Sequence, residues 1–232
     1  MVRRISTKLL LAVLTAVIIP FIGFALYADH AVADRTKQIV LYSLRGLAGD
    51  LAARIDRHVE RHVGDVDRSS RNSMCNWAID EYREWSADDT TEHTMRKLLR
   101  DQFDDIVLGG GGVDLLLLVE PGGRVVASSA VDPSGRPIPE DVIIELYARD
   151  FRAAPWFVEG LAGAAANVDP HISDLLPPAN SSPGIHPENF HIGFSAPVFA
   201  EALPEQVSGV LYSLVNWRII QDEIRQSLLR DY

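Results

Sequence analysis

From Leu9 to Tyr27 the sequence carries no charged side chain, and this nineteen-residue run constrains the chain more than any other feature. It holds twelve Leu, Ile, Val or Phe residues. At roughly −0.3 to −0.6 kcal/mol each near a bilayer centre, they favour insertion by about −4 to −7 kcal/mol. As a helix the run would measure roughly 28 Å, close to the hydrocarbon thickness. Pro20 would kink a soluble helix but is tolerated in a membrane span. Arg3, Arg4 and Lys8 precede the run; Asp29 and Asp34 follow it. Basic residues stay on the cytoplasmic side, so the expectation is a single-pass protein of the cell (inner) membrane. Its N-terminus is cytoplasmic and its main domain extracytoplasmic. The competing reading is a cleaved secretory signal, since Ala31-Val32-Ala33 has the small-x-small form of a cleavage site. The run is longer than the ~7–15 residues usual for such a signal. Both readings export the remainder.

The 232 residues leave enough chain outside the membrane for one ordinary domain plus an extended helical element, or two small domains. Of 22 Lys+Arg, three lie in the leader, so the exported part has 19 against 32 Asp+Glu, a net −13. That field repels phosphate backbones and anionic head groups, so nucleic acid is excluded as a partner. Cys75 is the single cysteine and forms no intramolecular disulfide; a small buried thiol is its expected state.

Between Ala31 and Trp85 there is no proline, and apolar residues fall mostly three or four apart at Ile39, Tyr42, Leu44, Leu47, Leu51, Ile55, Val59, Val63 and Val66. This spacing predicts a long amphipathic helix, continuous with the membrane span. A second helix is expected over Asn72–Trp85. After a break at Ser86-Ala87-Asp88-Asp89, a third is capped by Thr90 or Thr91 and carries Met95, Leu98, Leu99, Phe103 and Ile106. Beyond Gly109–Gly112 the pattern changes. Val113–Val119, the turn Pro121-Gly122-Gly123 and Arg124–Ser129 read as a β-hairpin. A loop at Val131–Pro137 leads to a helix over Glu140–Phe151 and a shorter one over Trp156–Leu161. Ala164–Pro187 reads as a long loop with a short strand at His171–Leu175. Phe190–Phe199 and Gln206–Val215 are two further strands, and Trp217–Leu229 is helical by period.

Hairpins imply an antiparallel sheet with helices segregated to its sides, so the class is α+β. The expected organisation is a cytoplasmic tip and transmembrane anchor at 1–30, a helical stalk at 31–106, a sensor-like domain at 107–216 and a C-terminal helix at 217–232.

Three segments resemble the Cache family, the PAS-like extracytoplasmic sensor domains of bacterial receptors. The hairpin from Leu115 to Ser129 looks like that family's apolar strand, Gly-containing turn and apolar strand ending in Ser. Ala154-Pro155-Trp156-Phe157-Val158-Glu159-Gly160 looks like its short helix opening on an aromatic pair. Gly193-Phe194-Ser195-Ala196-Pro197-Val198-Phe199 with Ser208-Gly209-Val210-Leu211 looks like its last two strands. The resemblance implies an antiparallel sheet flanked by helices, small-molecule sensing and signal transduction, often in two-domain double-Cache modules. One branch recognises amino acids through an arginine two positions before the aromatic pair. Here Ala154 stands there, with Arg152 the nearest upstream arginine, and the matching acidic residue falls near Glu201. The sequence is shorter than a full double module and contains no output region. A fragment, a truncated gene product and a protein working through a partner are the readings this leaves.

Candidate ligand contacts are Trp156 and Phe157, whose aromatic faces stack on solutes, and Arg152, whose fork pairs carboxylates. His191 and Ser195 join them, since alternation puts both on the strand face opposite Phe190, Ile192 and Phe194. Each has a plainer reading as core or solvated surface. His58 and His62, four apart on the long helix, lack the glutamate of a zincin motif and are expected to be an exposed pair. His171, His186 and His191 with Asp174 and Glu188 give loop spacing without metal geometry. No metal or cofactor is expected. Neither a Gly-x-Ser-x-Gly elbow nor a phosphate loop is present, so no enzyme is expected.

The expected function is therefore a membrane-anchored extracytoplasmic sensor that binds a small solute and relays it through the long helix, as a homodimer or with a signalling partner. The alternative is a non-sensing membrane-anchored interaction module of the cell envelope.

Overall fold

The computed structural model describes residues 2–84, 94–109, 111–176, 190–201, 203 and 205–230; before Arg35, side chains are described at a few positions only. The chain divides into two compact units, Met1–Ala53 and Arg54–Tyr232. Helix α1 covers Val2–Ser70, α2 Ser73–Glu84 and α3 Thr94–Leu108. Strands β1 (Val113–Val119) and β2 (Val125–Ser128) follow, then helices α4 (Glu140–Ala148) and α5 (Pro155–Leu161). Strands β3 (Ala166–Ile172), β4 (Phe190–Phe199) and β5 (Val207–Asn216) lead into α6 (Trp217–Arg230). The five strands form one antiparallel sheet in the order β2-β1-β5-β4-β3. This is the α+β architecture that the hairpin and helix periods predict.

Among the described residues no helix is long and apolar enough to cross a membrane. Most side chains of the Leu9–Tyr27 run, the break at Ser86–Asp89 and the Thr90 and Thr91 caps lie outside the described residues.

The sheet is buried on both faces, which is why β1 and β5 read as near-continuous apolar runs. Leu116, Leu118, Val126, Ile192, Phe194, Ala196, Val198, Leu211 and Val215 turn to one side. There they meet Val66 of α1, Ala78 and Ile79 of α2, and Leu99, Phe103 and Val107 of α3. The last three are spaced by four, one stripe of a helix. Cys75 lies in the same layer, and burial pushes its thiol up to about 12, so it is an inert apolar filler as expected. Leu115, Leu117, Val119, Val125, Val210, Tyr212 and Leu214 turn the other way, against Leu146 of α4 and Trp156 and Phe157 of α5.

The β1–β2 turn is fixed by Glu120, whose carboxylate accepts the N–H groups of Gly122 and Arg124. Gly123 sits at φ +84°, and a Cβ there would lie 2.6 Å from Arg152 Cγ. Only glycine is free of strain at that point.

Two expectations need correcting. The helix after Glu140 ends at Ala148, short of Phe151. Arg149 is extended (φ −77°, ψ 143°), and the Phe151 N–H donates to Gly123 O, tying the chain to the hairpin turn instead of to another helical turn. The strand expected at His171–Leu175 begins earlier, so Ala166–Ile172 is the edge strand β3 and not part of a loop. Its alternation is only half-buried, and Pro170 falls at an irregularity between Val168 and His171, both typical of an edge.

Candidate functional site

Where β4, β5 and α5 meet, small residues of β4 line a narrow slot that the Tyr212 ring fills. Antiparallel pairing puts Ser195 opposite Tyr212 and Gly193 opposite Leu214. On its other edge β4 places Ser195 beside Ala166 and Gly193 beside Val168. The Tyr212 side chain lies across Gly193: a Cβ at position 193 would stand 2.2 Å from the Tyr212 hydroxyl oxygen. Glycine in mid-strand is thus the space that admits the phenol. Trp156, the second residue of α5, stacks on the Tyr212 ring with centroids 4.2 Å apart and 23° between planes. Phe151 and Phe157 brace the indole at 5.3 and 5.8 Å. Helix α5 comes this close because Gly160 rests on Val210, where a Cβ would meet the valine at 2.6 Å.

The polar groups in this slot are few. Ser195 is buried and its Oγ finds no hydrogen-bond partner among the described residues. Burial, and next the charge of Asp174, raise the Tyr212 hydroxyl well above the ordinary tyrosine range, so it stays protonated and able to donate. Asp174 pairs with Arg149, and the Arg149 guanidinium also stands over the Phe151 ring at 5.8 Å.

The residues that the sequence singles out fall in different places. Trp156 and Ser195 line the slot. Phe157 sits behind the indole as core. His191 is buried, its Nε2 2.8 Å from Asp114 Oδ2, and Asn216 Nδ2 donates to the same oxygen at 3.0 Å. These bonds bind β4, β1 and β5 together at one end of the sheet. Arg152 is 70% exposed and paired with Asp150, its Nη2 2.5 Å from Asp150 Oδ2. That bond holds the Asp150 carboxyl down at about 2. Glu201 accepts from Trp77 Nε1 at 3.2 Å, on α2. His171 Nδ1 lies 2.9 Å from the Asp169 carbonyl, while His186 and Glu188 are outside the described residues. No cluster of three or more metal-ligating side chains occurs among the described residues. Sequence reading passes over Tyr212 and Arg149 and weighs Asp174 only beside the loop histidines; the glycine inside β4 is the one signal that a bulky neighbour lies across it.

His58 and His62 correct another expectation. They are buried, not exposed, because the α1 face that carries Val59, Val63 and Val66 packs on the sheet and takes them with it.

The five-stranded antiparallel sheet, its helix layers and the order of its elements give the fold seen in Cache-type, PAS-like domains. Among solved structures, the sensor domain of the Vibrio cholerae histidine kinase DctB is similar, with TM-score 0.56 and 13% identity over 80% of this chain and 59% of that one. Methyl-accepting chemotaxis protein X gives TM-score 0.51 and 12% identity over 82% and 66%. The ligand-binding domain of the Pseudomonas aeruginosa PAO1 amino acid chemoreceptor PctC, in complex with GABA, matches more loosely, with TM-score 0.45 and 14% identity over 77% and 64%. The chain spans about three fifths to two thirds of the length of these domains. No protein-family model and no curated protein matches the sequence.

Proposed function

We propose that this chain is a membrane-anchored extracytoplasmic sensor domain that binds a small solute in the slot between β4, β5 and α5. One observation carries this reading: a buried Ser195 hydroxyl without a partner among the described residues, beside the aromatic stack of Trp156 on Tyr212. A buried unpaired hydroxyl costs about 1–3 kcal/mol, a cost that a polar group of a bound solute would remove. Trp156 supplies the apolar contact and Tyr212 a neutral donor. Phe157 and His191 hold the slot from behind and from the end of β4, and Arg152 stands at the rim, within reach of a charged solute only if it leaves Asp150. The likeness of the fold to the sensor domain of a histidine kinase and to a methyl-accepting chemotaxis protein supports the reading. The Leu9–Tyr27 run supplies the anchor, and α1 is the relay, biased between two packings by the solute.

Thermal unfolding of the full chain in detergent, across amines, carboxylates, amino acids and purines, tests this. A solute at about 100 times its Kd adds roughly 2.7 kcal/mol, a shift of several degrees. A saturable shift that Trp156→Ala abolishes upholds the site; a saturable shift that survives Trp156→Ala places binding elsewhere.

A second reading rests on a different observation. Ile39, Val40, Leu41, Tyr42 and Leu44 of α1 are all exposed. Such an exposed apolar surface suits a second copy of the chain or another envelope protein, and an anchored interaction module would use it without any solute. A flat solute panel together with a dimer broken by Leu41→Glu favours that reading.

A further inference from the structure

His58 and His62 take no part in the slot. They lie on α1 four residues apart, 8% and 6% exposed, on the side facing the sheet. Their Nε2 atoms are 3.0 Å apart. The His62 ring stacks on Phe194 of β4 with centroids 5.3 Å apart and 27° between planes. The two imidazoles meet edge to face at 4.7 Å.

We propose that this pair is a chelating site for a divalent transition ion of the copper–nickel–zinc class, seated between α1 and β4. Imidazole nitrogen suits these ions. With ~2.0–2.1 Å metal–nitrogen bonds, two nitrogens at the observed spacing subtend about 90° at a shared ion. That is the angle between adjacent ligands of the tetragonal sites that Cu²⁺ and Ni²⁺ favour. A tetrahedral Zn²⁺ asks the pair to open to about 3.4 Å. A turn of each ring about its Cβ–Cγ bond aims both lone pairs at one point. The helix fixes the spacing of the two residues, so part of the ordering that chelation needs precedes the ion, and the turn of the His62 ring loosens its stack on Phe194.

Chelation replaces the Nε2–Nε2 contact with two metal–nitrogen bonds from neutral rings, and a proton held on either Nε2 passes to Nδ1 or to solvent as the ion binds. No group of three or more metal-ligating side chains occurs among the described residues, so the remaining coordination positions would fall to water. Phe194 stands on the helix side of β4 while its neighbours Gly193 and Ser195 line the slot on the other. An ion here would therefore stiffen the α1 contact with the same strand. The metal proposal does not depend on the solute reading.

The test is a Cu²⁺ titration of the full chain in detergent, with pulsed EPR counting the imidazoles that bind. The expected result is one ion per chain with two imidazoles. His58→Asn and His62→Asn should each leave one imidazole and weaken binding by at least about tenfold, since even loss of a partner behind a metal ligand costs about 10–100-fold. His171→Asn should change nothing. If a variant fails to fold, the wild-type chain still decides: Cu²⁺ should protect His58 and His62 from acylation, read by mass spectrometry. A single-imidazole signal, protection only at other histidines, or unchanged affinity in a folded His62→Asn variant overturns the proposal.

Discussion

The two faces of the sheet are both buried, yet they are covered in different ways. On one, long helices pack by regular stripes: Val59, Val63 and Val66 from α1, and Leu99, Phe103 and Val107 from α3. Polar groups at its margin are fastened, as where Ser208 Oγ donates to Asn76 Oδ1 at 2.6 Å and Asn76 Nδ2 donates to the Phe199 carbonyl. On the other face α4 and α5 have nine and seven residues, and neither has a side-chain cap. Contact there depends on an aromatic stack and on glycines at Gly160 and Gly193. Each face holds one buried serine hydroxyl without a partner among the described residues, Ser213 on the helix side and Ser195 in the slot. The two faces thus divide: the one built from long helices is packed by regular apolar stripes, and the one built from short helices is held by a few close aromatic and glycine contacts and is where the proposed solute would act.

The largest effect should come from the first face. Phe103→Ala removes a buried ring from the α3 stripe and should cost about 3–5 kcal/mol, lowering Tm by roughly ten degrees. A loss below about 1 kcal/mol would mean that the long-helix face is not the more tightly packed of the two. Next comes Gly193→Ala, which drives a methyl into Tyr212 and should cost about 1–3 kcal/mol. Denaturant unfolding of Gly193→Ala, Tyr212→Phe and the double variant checks the cause: removing the hydroxyl should return part of the loss as a favourable coupling. Strictly additive costs would mean that the glycine serves some other purpose.

How much of this was legible in the sequence follows the same division. The α1 and α3 stripes, the β1–β2 hairpin and the paired strands β4 and β5 are strongly periodic, and periodicity is a local property. The edge strand β3 was misplaced because its alternation is half-exposed and broken by Pro170. The end of α4 was overrun because the Phe151 bond to Gly123 is a contact between distant segments. In the slot, Trp156 and Ser195 could be picked out by residue type and strand parity. Tyr212 could not, because inside Val-Ser-Gly-Val-Leu-Tyr-Ser-Leu-Val-Asn it reads as one more strand residue. Only the pairing register puts it over Gly193. The burial of His58 and His62 was hidden for a like reason: Arg57, Glu60 and Arg61 beside them read as a solvated face, and it is the sheet that selects which side of α1 turns inward.

A smaller effect separates the two serines. Ser195→Ala and Ser213→Ala each delete an unpaired buried hydroxyl, and each should be neutral or stabilising by about 1 kcal/mol. Their effect on solute binding should differ. Ser195→Ala should weaken the solute-induced rise in Tm, and Ser213→Ala should leave it intact. Equal losses in both would mean that the solute acts on the sheet as a whole and not in the slot.

The smallest effect on stability is expected at the rim, and it sharpens the boundary of the slot. Arg152 is mostly solvent-exposed and its guanidinium is occupied by Asp150. Exposed pairs of this kind contribute little, because water screens them and two long side chains must be held still. Arg152→Ala should therefore leave Tm almost unchanged. It should have one clear local signature. The arginine's hydrogen bond holds the Asp150 carboxyl at about 2, below its ordinary 3.8. A carboxyl lowered in the folded state stabilises it above its unfolded value, and that contribution fades as pH falls from about 4 through 2. In Arg152→Ala the Asp150 titration, followed by NMR, should move up toward the ordinary value, and the fading should vanish with it. If the solute response then survives unchanged, binding ends at the Trp156–Tyr212 stack. If it weakens while Tm stays put, the guanidinium leaves Asp150 to meet the solute, and a carboxylate in the solute is the group that would draw it away.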